Sequence, residues 1–120
     1  MPVRIPSPQD IDLTEKRLQT HAKKHFVGKY GVKEIRARFK NNFLLLEVIK
    51  HQKEGMFGKM FNMGSVKTVG KLARLEFQGP NNWKFFIYSY DNNRYESYKG
   101  LREGTIEDCL DLAAKVFIVK

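Results

Sequence analysis

The chain lacks several features that would have narrowed its chemistry. Its 120 residues include one cysteine, Cys109, so no disulfide can form within it. A lone cysteine on a predicted helix suits a reducing compartment. No apolar run is long enough to span a bilayer, and the opening MPVRIPSPQD has no signal-peptide core. The expectation is a cytoplasmic protein without integral membrane association. No HExxH motif is present, and the glycines at 55, 58 and 64 lack the strand, loop and lysine of a phosphate-binding loop. His21 and His25 stand four apart without a third ligand nearby and read as solvated helix histidines. Glu47, Lys50 and Glu76 sit near strand ends but gather into no metal-holding set of the kind a nuclease needs. Cys109 has no catalytic setting in the sequence and reads as a packed helix residue. The sequence therefore implies no cofactor and no metal, and it points away from an enzyme. An uncharacterised hydrolase is the remotest reading.

Acidic residues are also scarce: 13 Asp and Glu stand against 22 Lys and Arg, a net charge of +9. The imbalance is local. Residues 1–67 hold 14 cations and 6 acids, whereas residues 68–120 hold 8 and 7. Charge this uneven suits an anionic partner for the first half, or a basic protein with no dedicated polyanion.

What is present reads as a single α+β domain over residues 1–120. Residues 1–6 form a short arm. Ser7, Pro8 and Asp10 read as a capped helix start, and Ile11, Leu18, Ala22 and Phe26 mark its apolar face. Gly28 and Gly31 end it. From Val32 to Lys40 the chain alternates, with Ile35, Ala37 and Phe39 opposite Arg36, Arg38 and Lys40. Asn41-Asn42 is a hairpin turn, since Asn tolerates positive φ. The return strand opens with Phe43-Leu44-Leu45-Leu46, a run that predicts burial on both faces near the turn.

A third strand over Val69–Phe77 places Val69, Ala73, Leu75 and Phe77 on one face. Gln78 to Asn82 is a turn, Trp83–Tyr90 the fourth strand, Asp91-Asn92-Asn93 a turn and Arg94–Tyr98 the fifth. Lys99 to Gly104 is a loop. Thr105 caps a second helix with Ile106, Leu110, Ala113 and Phe117 as its apolar stripe. Residues 116–119 fit either its last turn or a short strand. The fold expected is a five-stranded antiparallel meander with an N-terminal and a C-terminal helix packed on one face.

The two sheet faces differ in chemistry. Trp83, Phe85 and Ile87 belong to a core, whereas Lys84, Phe86, Tyr88 and Tyr90 mix a cation with aromatics. With the helices on one side, the other displays Arg36, Arg38, Lys40, Arg74, Lys84, Phe86, Tyr88 and Tyr90. Cations hold phosphates and flat rings stack on unpaired bases, so this set suits single-stranded nucleic acid. Aromatics also pack well on strands and at interfaces, so a protein partner or a homodimer fits the same residues. Residues 51–67, HQKEGMFGKMFNMGSVK, form a long loop in which Met56, Phe57, Met60 and Phe61 recur at near-helical spacing. They read as a turn closing over the sheet or as a plastic partner contact.

Taken together, Asn42-Phe43-Leu44-Leu45-Leu46-Glu47, Lys71-Leu72-Ala73-Arg74-Leu75, Trp83 with Phe85, Ile87 and Tyr88, Asp91-Asn92-Asn93-Arg94-Tyr95, Tyr98 and Phe117 give a pattern. It resembles a family of small bacterial proteins that carry a domain of unknown function. Tyr95 stands where that family's pattern has tryptophan, and the loop from Gly55 to Gly64 has no counterpart in it. The resemblance implies the one-domain fold and supplies no activity, ligand or catalytic residue. The reading favoured by the residues is a non-catalytic nucleic-acid-binding module.

Overall fold

A computed structural model describes residues 5–52 and 66–118. The candidate contacts Met56, Phe57, Met60 and Phe61 lie outside the described residues. In chain order the elements are α1 (Pro8–His25), β1 (Val32–Lys40), β2 (Phe43–Gln52), β3 (Val66–Gly79), β4 (Asn82–Ser89), β5 (Arg94–Ser97), β6 (Glu103–Gly104) and α2 (Ile106–Phe117). Strands β1 to β5 pair antiparallel in sequence order. The sixth strand falls in the expected loop and pairs Gly104 with Trp83 and Glu103 with Lys84. It continues the edge of β4 that β5 covers only from Phe86 to Ser89. β2 and β3 also run into the expected long loop, where His51 faces Lys67 and Gln52 faces Val66.

Both helices start as their sequences direct. The Ser7 hydroxyl accepts from the Asp10 amide at 3.1 Å, and the Asp10 carboxylate accepts from the Ser7 amide. Thr105 and Asp108 repeat this box at the start of α2. Each box satisfies amides that the first helical turn leaves without intrahelical partners. At the end of α1, Gly28 and Gly31 adopt positive φ of 83° and 76°, and Tyr30 between them sits at 55°. The β1–β2 turn places Asn41 at φ 56°, and the β4–β5 turn places Asn93 at 54°.

The core fills the space between one sheet face and the two helices. Leu18 and Ala22 of α1, with Phe26 just after it, meet Ile106, Cys109, Leu110, Ala113 and Ala114 of α2 there. Ile35, Leu44, Leu46, Val48, Ala73, Leu75, Phe77, Trp83, Phe85 and Ile87 form the sheet's contribution. Trp83 is fully buried, edge-on to Phe77 and Phe39 at centroid distances of 5.2 and 6.5 Å. Cys109 is buried beneath β4, with Sγ 4.0 Å from the Trp83 carbonyl oxygen. Burial pushes its thiol up to about 12, helped by the nearby charges of Asp108 and Glu107.

Two expectations fail for identifiable reasons. Val69 is not on the core face but 53% exposed. Between the pairs Leu46–Ala73 and Glu47–Lys71 the register slips, and Leu72 is the extra residue. This bulge shifts the strand's parity by one, so Leu72 and Ala73 both enter the core while Val69 moves to the other side. Burial on both faces of β2 also falls later than the turn: Leu46, Glu47, Val48 and Ile49 are all buried, whereas Phe43 and Leu45 are partly exposed.

Candidate functional site

The register across the sheet arranges the face away from the helices into rows. One row runs Lys40, Phe43, Glu76, Lys84 and Glu103 across β1, β2, β3, β4 and β6. The next runs Arg38, Leu45, Arg74, Phe86 and Ser97. A third holds Arg36, Glu47 and Lys71, and Tyr88 faces Tyr95 across β4 and β5. Cations fill the β1 positions of this face, and rings stand opposite cations in the pairs Lys40–Phe43 and Arg74–Phe86.

Arg74 is the centre of the face. Its guanidinium carbon lies 4.9 Å from the Phe43 ring centroid, 5.0 Å from Phe86 and 5.6 Å from Tyr95. Guanidinium planes stack on rings because the ring face is electron-rich. Glu76 lies 3.7 Å from Nη2, and Nε has no hydrogen-bond acceptor among the described residues. Lys84 sits over Phe86 at 5.6 Å, and Lys71 over Tyr88 at 5.0 Å.

Glu47 explains why two of the arginines are where they are. Its side chain is only 7% exposed. Arg36 donates to Oε1 from Nε at 3.1 Å and from Nη2 at 2.8 Å, and Arg38 Nη1 approaches Oε2 at 3.5 Å. A carboxylate this dry needs a charge-assisted partner, and Arg36 is chiefly that partner. Arg38 remains 60% exposed, so most of its donors face solvent.

Tyr95 and Tyr90 titrate above their ordinary range. Burial raises Tyr95, and the negative charge of Glu47 adds to the effect. Tyr90 is raised as well, again chiefly by burial. Both rings are neutral near pH 7 and can offer flat apolar faces.

Seven of the eight predicted residues share this face: Arg36, Arg38, Lys40, Arg74, Lys84, Phe86 and Tyr88. Tyr90 departs from it. It lies just past β4, its hydroxyl donates to the Lys71 carbonyl at 2.6 Å, and its ring packs edge-on to Phe117 of α2 at 5.5 Å. Phe43, Glu47, Lys71 and Tyr95 belong to the face and were not among the candidates. The hairpin turns carry the missing signal. Closing the chain at Asn41-Asn42 puts Phe43 opposite Lys40 and Glu47 opposite Arg36, and closing it after Ser89 puts Tyr95 opposite Tyr88.

The basic first helix lies on the other side of the sheet. Lys16, Thr20, His21, Lys24 and His25 line a groove of about 470 Å³ there. Arg17 at its margin donates to both Glu107 oxygens, at 2.8 and 2.6 Å, and to Asn81 at 2.6 Å. His21 is not merely solvated: its Nε2 lies 2.6 Å from Asp111 and links the two helices. Among the described residues no group of His, Cys, Asp and Glu could hold a metal ion, and no described helix is long and apolar enough to cross a membrane.

No protein-family model, curated protein or solved structure matches the chain. The chemistry of the face is therefore what carries a functional reading.

Proposed function

We propose that the open sheet face binds single-stranded nucleic acid without catalysing a reaction on it. The observation that carries this reading is the interleaving of Arg38, Lys40, Arg74 and Lys84 with Phe43, Phe86, Tyr88 and Tyr95 on one surface. Phosphates of a single strand would meet the cations on β1 and β4, and unpaired bases would stack on the rings between them. A duplex hides its base faces, so the rings favour single strands. Arg36 has a supporting part, because its main duty is to neutralise Glu47.

Fluorescence anisotropy with single-stranded RNA, single-stranded DNA and duplex at two salt concentrations tests the reading. The expected result is salt-sensitive binding that prefers single strands. Replacing Arg38, Lys40 and Lys84 together by Ala should weaken binding to all sequences. It should also lower the salt slope by about 2, as three lost phosphate contacts predict for a single strand. Phe86→Leu should cost about 1–3 kcal/mol of binding with an unchanged slope. If the triple variant binds like the parent, the site assignment fails. Absence of binding at low salt, with a mass that rises with concentration, would reassign the face to contact between copies of the chain.

A further inference from the structure

A cleft of about 340 Å³ opens where β4 leaves the sheet beside the last turn of α2. Tyr88, Tyr90, Tyr98 and Phe117 line it with Asp91 and Glu96, and among the described residues no lysine or arginine does. That is unusual in a chain with 22 such cations. Tyr90 is 52% exposed and stands edge-on to both Phe117 and Tyr88, at 5.5 and 4.7 Å. Glu96 shares its charge with Arg94 at 2.9 Å and accepts from Asn92 at 3.1 Å. Asp91 is exposed and has no hydrogen bond or ion pair among the described residues.

The contrast with the open face points to a ligand. The described cation–π contacts are all made by Lys71, Arg74 and Lys84 on the rings of that face, including Lys71 over Tyr88, which borders both the face and the cleft. Tyr90, Tyr98 and Phe117 have none, although two carboxylates lie beside them. We propose that this cleft binds an organic cation, a quaternary or trimethylated ammonium group. Tyr90, Tyr98 and Phe117 supply ring surface, and Asp91 supplies the counter-charge. Methyl groups lower the hydration cost that keeps a bare ammonium in water, so ring faces can compete for it. The net charge of +9 opposes a cation only weakly here. At physiological salt, charges more than about 8 Å apart are largely screened. Closer in, Arg94 offsets Glu96 and Lys71 lies over Tyr88, which leaves Asp91 as the counter-charge.

The test is a proton NMR titration of the whole chain with tetramethylammonium chloride, matched against sodium chloride. Saturable shifts of the Tyr90 and Phe117 ring protons, with upfield movement of the N-methyl signal, are expected. Asp91→Asn should weaken binding about threefold or more, Tyr90→Leu should weaken it further, and Tyr90→Phe should retain it. A neutral peptide carrying trimethyllysine, run alongside, distinguishes the two sources of the group. Tighter binding of the peptide assigns the cleft to a side chain of a partner, and tighter binding of the free amine assigns it to a small molecule. Shifts no larger than those with sodium chloride would overturn the proposal. So would parent-like binding by Asp91→Asn, a surface change that leaves the core intact, or equal loss in Tyr90→Phe and Tyr90→Leu.

Discussion

On the helix side of β4, Trp83 and Phe85 are sealed from water, edge-on to Phe77 and Tyr98. One residue further along, on the opposite side, Phe86 lies between the charged ends of Arg74 and Lys84 and keeps part of its ring in solvent. Residue type does not separate the two faces, since both are rich in aromatics. What separates them is the neighbours that the register supplies. Leu75 and Ile87 surround the first set, and cations on β1, β3 and β4 surround the second. A ring among aliphatics contributes mainly by leaving water. A ring under a cation keeps one face for a further partner.

That comparison is broken most severely by Trp83→Ala. The cavity left between Phe39 and Phe77 should cost about 3–5 kcal/mol of stability, read from urea unfolding. Phe86→Ala on the other face should cost far less, because its site is half open to water. Comparable losses would mean that the open face is energetically a second core.

Arg36→Ala comes next and sharpens the distinction within the open face. It removes the main partner of buried Glu47 and leaves only the longer contact from Arg38. A loss of about 1–3 kcal/mol is expected. Adding Glu47→Gln should recover part of it, because the uncompensated charge is then gone. A neutral Arg36→Ala would show that Arg36 is as free for a ligand as Arg38.

The smallest effect lies on the helix side. The Arg17 hydrogen bonds hold the Glu107 carboxyl below its usual value of 4.5. A folded-state value below the unfolded one contributes stability above about pH 4.5, lost as pH falls through the depressed folded-state value. Glu107→Gln should therefore lower stability by about 1 kcal/mol or less at pH 7. It should also flatten the acid side of the stability profile, read as melting temperature against pH. An unchanged acid limb would assign the sensitivity to other carboxylates.

Much of this architecture can be read from the chain before any coordinates. Ser7 and Thr105 announce their helices because capping is local, and Asn41-Asn42 announces its hairpin for the same reason. The alternation in β1 correctly separates Ile35 and Ala37 from Arg36 and Arg38. The open face is harder to read because its decisive relations cross strands. Glu47 looks like an ordinary strand-end acid until the hairpin sets it beside Arg36. Val69 looks like a core residue until the bulge at Leu72 reverses its direction, and nothing in Gly70-Lys71-Leu72-Ala73 marks which residue is extra. Tyr90 follows the strand's alternation in sequence, but the strand ends at Ser89 and the ring turns toward α2 instead. Periodicity describes a strand while its parity lasts, and bulges and strand ends are where it stops.

The clamp formed by Arg17, Asn81 and Glu107 joins positions 64 and 90 residues apart in the chain. During synthesis α1 emerges before the sheet and α2 after it. Until then Leu18, Ala22 and Phe26 have β1 beside them but lack the helix that completes their burial. Until α2 is made the nascent chain thus carries an unfinished apolar stripe and a growing sheet edge, and closure of the core, which waits on α2, sets its exposure to aggregation.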